Sequence, residues 1–415
     1  MLEPAHRPGG PRIAWVIPSL TAGGVGSVCQ YAAEALAILG GWDVTLVSLH
    51  DPVEVTDLGG RVHLTSLSLS PDKTSEGFLN WIDSHHQDIV VTNDVAHLEP
   101  AFIEIGSHAK HIIQIHDCGR RYRAVAVRNA AWTDGVLCVA RHIEKVVQHE
   151  MQAVGYRGII NTIYNGAVFP ELTDDKSESP TIRLLFMGRI DPVKGAWDLV
   201  KILICLRRLG TRFSLTIAGG YNQDLERRFK RYGLETVVKW VGVIPHHECY
   251  TLAAQNDALL MLSRKEPFGM VTIEAMAMGC VPIAYDTPSG TTEIVENGTS
   301  GLLVGLGDYA AVARAVDRLW KNPQTLMYLS KGAAKRARGS FNADLMSERM
   351  AAFFRQVLSV KRRGDADTLA RKSDKLPPFE GGRTPLYQRL PYRLRMWLRN
   401  LLHSNPKLSL WLLTR

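Results

Sequence analysis

The sequence predicts an α/β protein made of two doubly wound domains, and three observations support this fold class. The chain has 415 residues, of which 46% are hydrophobic, whereas a single core stops growing at roughly 250–300 residues. Short β-rich segments alternate with helical segments in two series, which is typical of parallel sheets. A polar linker without periodicity, residues 167–181, separates the series. We therefore place the domains at 1–166 and 182–360.

The elements follow in order along the chain. The strands predicted for the first domain are Arg12–Ile17, Asp43–Ser48, Arg61–Leu67, Asp88–Thr92, His111–His116, Gly135–Val139 and Ile159–Tyr164. Those predicted for the second are Arg183–Met187, Phe213–Ala218, Val237–Gly242, Ala258–Leu262, Val281–Tyr285 and Leu302–Val304. From Tyr309 to about Val360 the pattern is helical. Because doubly wound sheets bind ligands at the carboxyl ends of their strands, functional residues are expected directly after strands.

Excess positive charge is confined to the tail at 361–415. The whole chain has a formal net charge of +8, and this tail alone holds 13 Lys+Arg against 4 Asp+Glu. The placement argues against a nucleic-acid enzyme, in which positive charge lines the working cleft. We expect a basic, partly flexible tail with one amphipathic helix, whose apolar face comprises Leu390, Leu394, Trp397, Leu398 and Leu401. This helix is expected either to contact an anionic membrane or to dock on the first domain.

The cysteines and the apolar segments indicate the compartment. The six cysteines are dispersed, without a C-x-x-C pair or a metal-type spacing, which favours a reducing environment. The sequence shows no signal-peptide pattern and no segment near the roughly 18–20 apolar residues that span a bilayer. We therefore expect a cytoplasmic protein that can lie peripherally at the inner face of the cytoplasmic membrane.

Two post-strand loops are candidates for phosphate binding. Gly23, Gly24 and Gly26 precede an Ala-rich helix, and glycines let backbone N–H groups approach an anion at a helix start. A plain strand-to-helix turn is equally compatible with these glycines, whose spacing is not the dinucleotide fingerprint. Arg189 and Lys194, five residues apart after the first strand of the second domain, can both reach one diphosphate or simply form a solvated basic loop.

Two acids follow the strand Ala258–Leu262 at a spacing of eight residues. Glu266 stands before a helix whose first turn is favoured by Pro267, and Glu274 lies two turns inside that helix. Carboxylates of this kind accept hydrogen bonds from sugar or ribose hydroxyls, and the free N–H groups of residues 268–270 can meet an anion. The structural alternatives are helix capping by Glu266 and a salt bridge at Glu274.

Taken together, these motifs resemble glycosyltransferase family 4 of the GT-B fold over residues 12–360. The resemblance rests on G-R-x-x-x-x-K-G at 188–195, E-P-F-G-M-x-x-x-E at 266–274, the early glycine loop and a late Gly-Leu-Leu-Val. It implies two Rossmann-like domains facing across a cleft. It also implies a retaining transferase that takes a sugar from a UDP- or GDP-sugar and needs no metal cofactor. In this mechanism the departing phosphate takes the acceptor's proton, so no enzymic base is expected.

The resemblance also implies roles for individual residues. The residues expected to carry catalysis are His116, Arg189, Lys194 and Glu266. The residues expected to bind the donor are Gly23, Gly24, Val243, Phe268, Gly269, Met270 and Glu274. In these expectations the two cations hold the diphosphate, Glu266 the donor sugar and Glu274 the ribose, while His116 donates a hydrogen bond to a sugar hydroxyl.

The chain departs from the family pattern at two places. Where Gly-Gly-x-x-Glu is frequent it has Ser-Gly-Thr-Thr-Glu at 289–293, so we expect Thr291 and Thr292 to contact phosphate by hydroxyl or backbone. Where a serine is frequent after the strand Gly135–Val139, the chain has Ala140. This second departure leaves the acceptor-side contacts open.

Three arginines, Arg120, Arg121 and Arg123, follow His116 closely. They suit an anionic acceptor such as a lipid diphosphate, or they form a solvated helix face. The resemblance thus implies a hexosyltransferase acting on a glycan or lipid-linked acceptor in surface polysaccharide or glycolipid synthesis, and the charge distribution argues against a nucleic-acid partner. The alternatives are a sugar phosphorylase or epimerase on the same fold, or a non-catalytic sugar-nucleotide or membrane-binding module.

Overall fold

The structure is a computed structural model that describes residues 10–20, 24–39, 41–51, 62–70, 74–102, 105–106, 109–117, 119–172 and 179–360. Two predictions lie outside these residues, namely the approach of Gly23 to the donor and the amphipathic helix of the tail at 361–415. None of the described helices combines the length and the apolar character that crossing a bilayer requires.

The first domain is built on a seven-stranded parallel sheet with the strand order β3-β2-β1-β4-β5-β6-β7. Its strands are β1 (Arg12–Ile17), β2 (Asp43–Ser48), β3 (Val62–Ser66), β4 (Ile89–Asn93), β5 (Lys110–Ile115), β6 (Gly135–Cys138) and β7 (Ile159–Thr162). Its described α-helices are α1 (Gly24–Leu39), α2 (Thr74–Ser84), α3 (Arg120–Arg128) and α4 (Arg141–Ala153). The order reverses between β1 and β4, and such a reversal opens a crevice at the carboxyl ends of the strands.

The second domain has a six-stranded parallel sheet with the order β10-β9-β8-β11-β12-β13. Its strands are β8 (Ile182–Met187), β9 (Phe213–Ala218), β10 (Val238–Gly242), β11 (Ala258–Met261), β12 (Val281–Asp286) and β13 (Leu302–Gly305). The helices that follow are α5 (Asp198–Leu209), α6 (Gln223–Arg231), α7 (His246–Ala254), α8 (Met270–Ala277), α9 (Gly290–Ile294), α10 (Tyr309–Lys321), α11 (Pro323–Ser340) and α12 (Ala343–Ser359). Here the order reverses between β8 and β11.

The strands were predictable because central strands of a covered parallel sheet read as near-continuous apolar runs. Every predicted strand is present, with ends that differ by no more than two residues. The residues of β1 from Ile13 to Ile17, for example, have no solvent exposure. The prediction of two α/β domains with parallel sheets is confirmed.

The last helix requires a correction of the predicted domain boundary. Helix α12 was expected within the second domain at 182–360, but it packs on the first. Its Phe354 ring lies 5.9 Å from the rings of both Trp15 and Trp42, and Met350, Phe354 and neighbouring apolar residues share one core with β1 and α1. The apolar stripe of α12 covers one face of the first sheet, so residues 343–359 belong with the first domain.

Candidate active site

Two helices begin face to face at the boundary between the domains. Helix α1 begins at Gly24, and helix α8 begins at Met270. A Cβ atom added to Gly24 would lie 3.9 Å from Met270 Cγ, so the first turns of the two helices meet across the cleft. The first turn of each helix carries the positive end of a helix dipole, which favours an anionic ligand.

Lys194 and Glu266 are in direct contact at the carboxyl ends of β8 and β11. Lys194 Nζ lies 2.6 Å from Glu266 Oε2, and Ser263 Oγ donates a hydrogen bond of 2.9 Å to the same oxygen. The Glu266 residue is only 7% exposed. The structure therefore brings together the cation predicted for the diphosphate and the carboxylate predicted for the donor sugar.

The loop that carries Lys194 is docked tightly on the end of β11. Gly195 has a φ of +75°, and a Cβ atom there would lie 2.1 Å from the carbonyl oxygen of Leu262. Arg264 N donates to Val193 O at 2.7 Å, which joins the two loops directly. Only glycine fits this close approach of two backbones, so the position of Lys194 relative to Glu266 is set by the backbone.

Arg189 has a different environment. Its side chain is 75% exposed, and among the described residues its ion pair is with Asp191, at 3.2 Å between Nε and Oδ2. Asp191 Oδ1 also accepts a hydrogen bond from Lys194 N at 2.8 Å. The two predicted cations are thus linked through Asp191, but only Lys194 contacts the buried acid Glu266.

Buried hydroxyl groups surround the backbone at Gly269. The φ of Gly269 is +112°, and a Cβ atom there would lie 3.1 Å from the Oγ1 atoms of both Thr272 and Thr291. These two oxygens and Ser289 Oγ are buried and have no hydrogen-bond partner among the residues that the structure describes. Because buried polar groups are nearly always hydrogen-bonded, this group of hydroxyls is suited to a polar ligand beside Glu266.

Thr291 and Thr292, both predicted to contact phosphate, differ in the structure. The Thr292 hydroxyl lies within hydrogen-bond distance of two backbone carbonyls, Thr287 O at 2.9 Å and Ser289 O at 2.8 Å. It therefore braces the loop that precedes α9, and only Thr291 retains a hydroxyl for a ligand. Sequence reasoning missed Ser289 and Thr272, whose side chains gave no signal apart from their nearness to the motifs.

Glu274 is buried inside α8 and pairs with His246 at the start of α7. The two side chains approach to 2.8 Å between Oε1 and Nε2, and the hydrogen bond with Glu274 raises the pKa of His246. Tyr31 Oη, from α1 of the first domain, lies 3.3 Å from Nδ1 of the same ring. His246 was not predicted, although it follows the loop of Val243, which is 83% exposed.

His116 lies just after β5 and is fixed by Asn93. Asn93 Nδ2 donates to Val16 O at 3.1 Å, so Asn93 Oδ1 must be the atom 2.8 Å from His116 Nε2. Since that oxygen only accepts, Nε2 carries the proton, and burial lowers the pKa of His116 to about 4. The neutral ring therefore offers Nδ1 as a hydrogen-bond acceptor, whereas the sequence led us to expect a donor.

The three arginines after His116 do not act as one group. Arg123 donates to both carboxylate oxygens of Glu150 at 3.0 Å, from Nε and from Nη2. This two-pronged bond joins α3 to α4 within the first domain and gives Arg123 a structural contact, while its contact with an acceptor stays a prediction. Arg120 and Arg121 are exposed in the first turn of α3.

Asp94 is an acidic residue near His116 that sequence reasoning missed. It follows β4 in a left-handed conformation, with a φ of +51°, and it lines a largely apolar pocket with Gln114 and Tyr122. Burial, and next the negative charge of Asp117, raise the pKa of Asp94 to about 7. The first-domain side of the cleft thus contains a carboxyl group that is partly protonated near neutral pH.

The second domain matches a known family. Residues 171–336 match the family model of glycosyl transferases group 1, and this range contains Arg189, Lys194, Glu266 and Glu274.

Curated relatives show similarity over the same region. Glycogen synthase of Mycobacterium tuberculosis is 32% identical over 184 residues, which are 44% of this chain and 43% of the relative. D-inositol 3-phosphate glycosyltransferase of Frankia alni is 36% identical over 168 residues, 38% of this chain and 41% of the relative. The chain therefore spans less than half the length of these relatives.

Solved structures share the whole architecture. Sucrose-phosphate synthase from Thermosynechococcus elongatus superposes with a TM-score of 0.71 at 21% identity, covering 85% of this chain and 100% of that one. Anabaena HepE in complex with UDP and glucose gives a TM-score of 0.65 at 17% identity, covering 83% and 100%. These likenesses show the GT-B fold, with two Rossmann-like domains facing across a cleft, as predicted.

Proposed function

We propose that this chain is a retaining glycosyltransferase of family 4 that moves a hexosyl group from a UDP- or GDP-sugar to a hydroxyl of a glycan or lipid-linked acceptor. The observation that carries the proposal is the Lys194–Glu266 pair, which lies beside buried hydroxyls that have no hydrogen-bond partner among the described residues. The similarity of the second domain to group 1 glycosyl transferases supports it. The fold neighbour HepE, whose structure is a complex with UDP and glucose, supports the donor class.

The chemical difficulty in this reaction is the departure of a nucleoside diphosphate from the anomeric carbon. Negative charge develops on the leaving phosphate, and Lys194 is a cation held in place by a docked loop. The hydroxyls of Ser289 and Thr291 add donors that need no reorganisation. In a site that excludes water, losing one such contact costs about 10²–10³ in rate.

The sugar would be oriented by groups from both domains. Glu266 can accept hydrogen bonds from sugar hydroxyls, and Nδ1 of neutral His116 can accept another. As the bond from the anomeric carbon to phosphate breaks, the bond to the acceptor oxygen forms on the same face. The acceptor's proton passes to the departing phosphate oxygen. We further propose that no metal is required, because Lys194 and Arg189 supply the positive charge.

We place the acceptor in surface polysaccharide or glycolipid synthesis on the cytoplasmic face of the membrane, with the basic tail near an anionic surface. The net positive charge of 361–415 supports this placement. Truncation after residue 384 should release the protein from anionic liposomes in a co-sedimentation assay. Undiminished binding of the truncated chain would refute the membrane role.

Thermal-shift measurements with UDP-, GDP- and ADP-sugars test the donor class. A ligand at about 100 times its dissociation constant stabilises the folded state by about 2.7 kcal/mol, and one nucleotide should stand out. Transfer of radiolabelled sugar then identifies the acceptor, and inorganic phosphate as acceptor would identify a phosphorylase instead. EDTA should leave transfer unchanged. If no nucleotide sugar raises the melting temperature, the proposed function is wrong.

A further inference from the structure

Glu293 of α9 places its carboxylate on the first domain. Its Oε2 accepts hydrogen bonds from Arg141 N at 2.8 Å and from Tyr164 Oη at 3.0 Å. Its Oε1 accepts one from His142 N at 2.8 Å and lies 2.9 Å from His142 Nδ1. All four of these nitrogen and oxygen atoms belong to the first domain, so the single side chain of Glu293 makes four polar contacts between the domains.

The Glu293 carboxylate caps the N-terminus of helix α4. The residue that caps this helix is Ala140, and it makes no side-chain capping hydrogen bond. The N–H groups of a first helical turn need an acceptor, and a negative charge is favoured there. Burial raises the pKa of Glu293, but the hydrogen bonds from His142, Arg141 and Tyr164 outweigh this effect and lower the pKa to about 2. The carboxylate is therefore ionised when it caps α4.

The backbone of Glu293 is held by its own domain. Arg336 of α11 donates from Nη2 to Glu293 O at 2.9 Å and from Nε to Ile294 O. Thr291, whose buried hydroxyl has no partner among the residues described, lies two residues earlier on the same short helix. The segment 289–291 at the start of α9, which holds the proposed phosphate contacts, is thus connected through one residue to α4 of the first domain.

The contact also lies beside both chain crossings between the domains. Ala167 N donates to Phe341 O and Ala343 N donates to Ala167 O, each at 3.1 Å, so the two crossing segments are bonded to each other. The rings of Tyr164 and Phe341 lie 5.7 Å apart. A contact near the crossings moves least when two domains open and close, because hinges lie where the chain passes between them.

We propose that Glu293 is a positioning residue that fixes the segment 289–291, at the start of α9, relative to the first domain. The donor phosphate, held by the second domain, then stays aligned with an acceptor held by the first. This inference rests on the proposed function and adds to it a residue that touches neither substrate. A misplacement of about 1 Å between reacting groups can cost about 10²-fold in rate, so loss of the contact should slow transfer without weakening donor binding.

Amide hydrogen exchange of the full chain tests the contact itself. In Glu293→Gln, an amide group replaces one of the two accepting oxygens, and the amides of Arg141 and His142 should exchange at least about tenfold faster than in the wild type. Glu235→Gln is the matched control, since Glu235 is an exposed glutamate of the same domain, and it should leave these amides unchanged. Equal protection in Glu293→Gln and the wild type would overturn the proposal.

Steady-state kinetics test the positioning role. In Glu293→Gln, kcat per folded molecule should fall about 10–100-fold while the donor KM stays within twofold, and the share of donor lost to hydrolysis should rise. An unchanged kcat, or a donor KM that rises as far as kcat falls, would overturn the proposal. If Glu293→Gln does not fold, Tyr164→Phe removes one of the four hydrogen bonds and should show the same pattern at about 2–5-fold. Absence of transfer by the wild type would overturn the proposed function instead, and amide exchange would still decide whether Glu293 couples the domains.

Discussion

The buried polar groups on the two sides of the cleft differ in their charge. On the second-domain side, Lys194 and Glu266 form a close ion pair beside buried hydroxyls that lack a hydrogen-bond partner in the described part of the chain. On the first-domain side, burial lowers the pKa of His116 to about 4 and raises that of Asp94 to about 7, so of these two buried groups His116 is uncharged and Asp94 only partly ionised at neutral pH. A buried ion pair thus lies where a leaving diphosphate would develop charge, whereas the buried groups of the opposite wall can contact hydroxyl groups through neutral hydrogen bonds.

Removing the cation of the charged side should have the largest effect. Lys194→Ala is expected to lower kcat by about 10²–10³, because the leaving phosphate loses its fixed positive partner. The matched control is Lys201→Ala, since Lys201 is an exposed lysine on α5 of the same domain. Rates of sugar transfer for both variants are compared with the wild type. A loss of less than about fivefold in Lys194→Ala would remove the functional distinction between the two sides.

The neutral side should respond more weakly and without a histidine titration. We expect His116→Ala to lower kcat by about 10–10², because one positioning hydrogen bond to the sugar is lost. Since burial holds the pKa of His116 near 4, the wild-type kcat should show no limb between pH 5.5 and 7.5 that disappears in the variant. A limb near pH 6.5 that His116→Ala abolishes would show that the ring titrates as an ordinary exposed histidine.

Thr291 and Thr292 offer a comparison within the charged side. Thr291→Val should lower kcat/KM for the donor by about 5–30-fold with little change in melting temperature, because its hydroxyl has only a ligand to bond. Thr292→Val should leave kcat/KM for the donor nearly unchanged and lower the melting temperature by about 2–4 °C. It removes a hydrogen bond to the backbone that is worth about 1 kcal/mol. Donor kinetics and thermal unfolding of both variants provide the test. Equal effects on donor kinetics would mean that both hydroxyls face the donor.

The parts of this site that follow strands could be predicted from the sequence. Lys194 and Glu266 come after β8 and β11, which are neighbours in the sheet, and the carboxyl ends of parallel strands meet at one edge. Their contact therefore follows from strand order and motif spacing. The same reasoning placed His116 correctly after β5.

Contacts between distant elements could not be predicted. Glu293 bonds to Arg141 and His142 of α4, which lie 152 and 151 positions earlier in the sequence. No local pattern marks an acidic side chain as the cap of another domain's helix. The sequence of α12 has a clear helical pattern. This local pattern does not determine which of the two sheets the apolar face of the helix packs against. His246 and Asn93 likewise act through partners that only the tertiary fold brings near.

Asp94 gives the smallest expected effect and tests the neutral side by its pH dependence. Its pKa is about 7 in the folded chain against an ordinary value of 3.8, so between these pH values the folded state binds more protons than the unfolded state. Stability therefore falls as pH rises through this window. Asp94→Asn removes the charge, and it should raise the melting temperature by about 2–4 °C at pH 8 and leave it unchanged at pH 3. Thermal unfolding of both chains at the two pH values decides the question. A variant that is less stable at pH 8 would mean that the ionised carboxylate is stabilised by its neighbours, and the first-domain side would then carry charge as the second does.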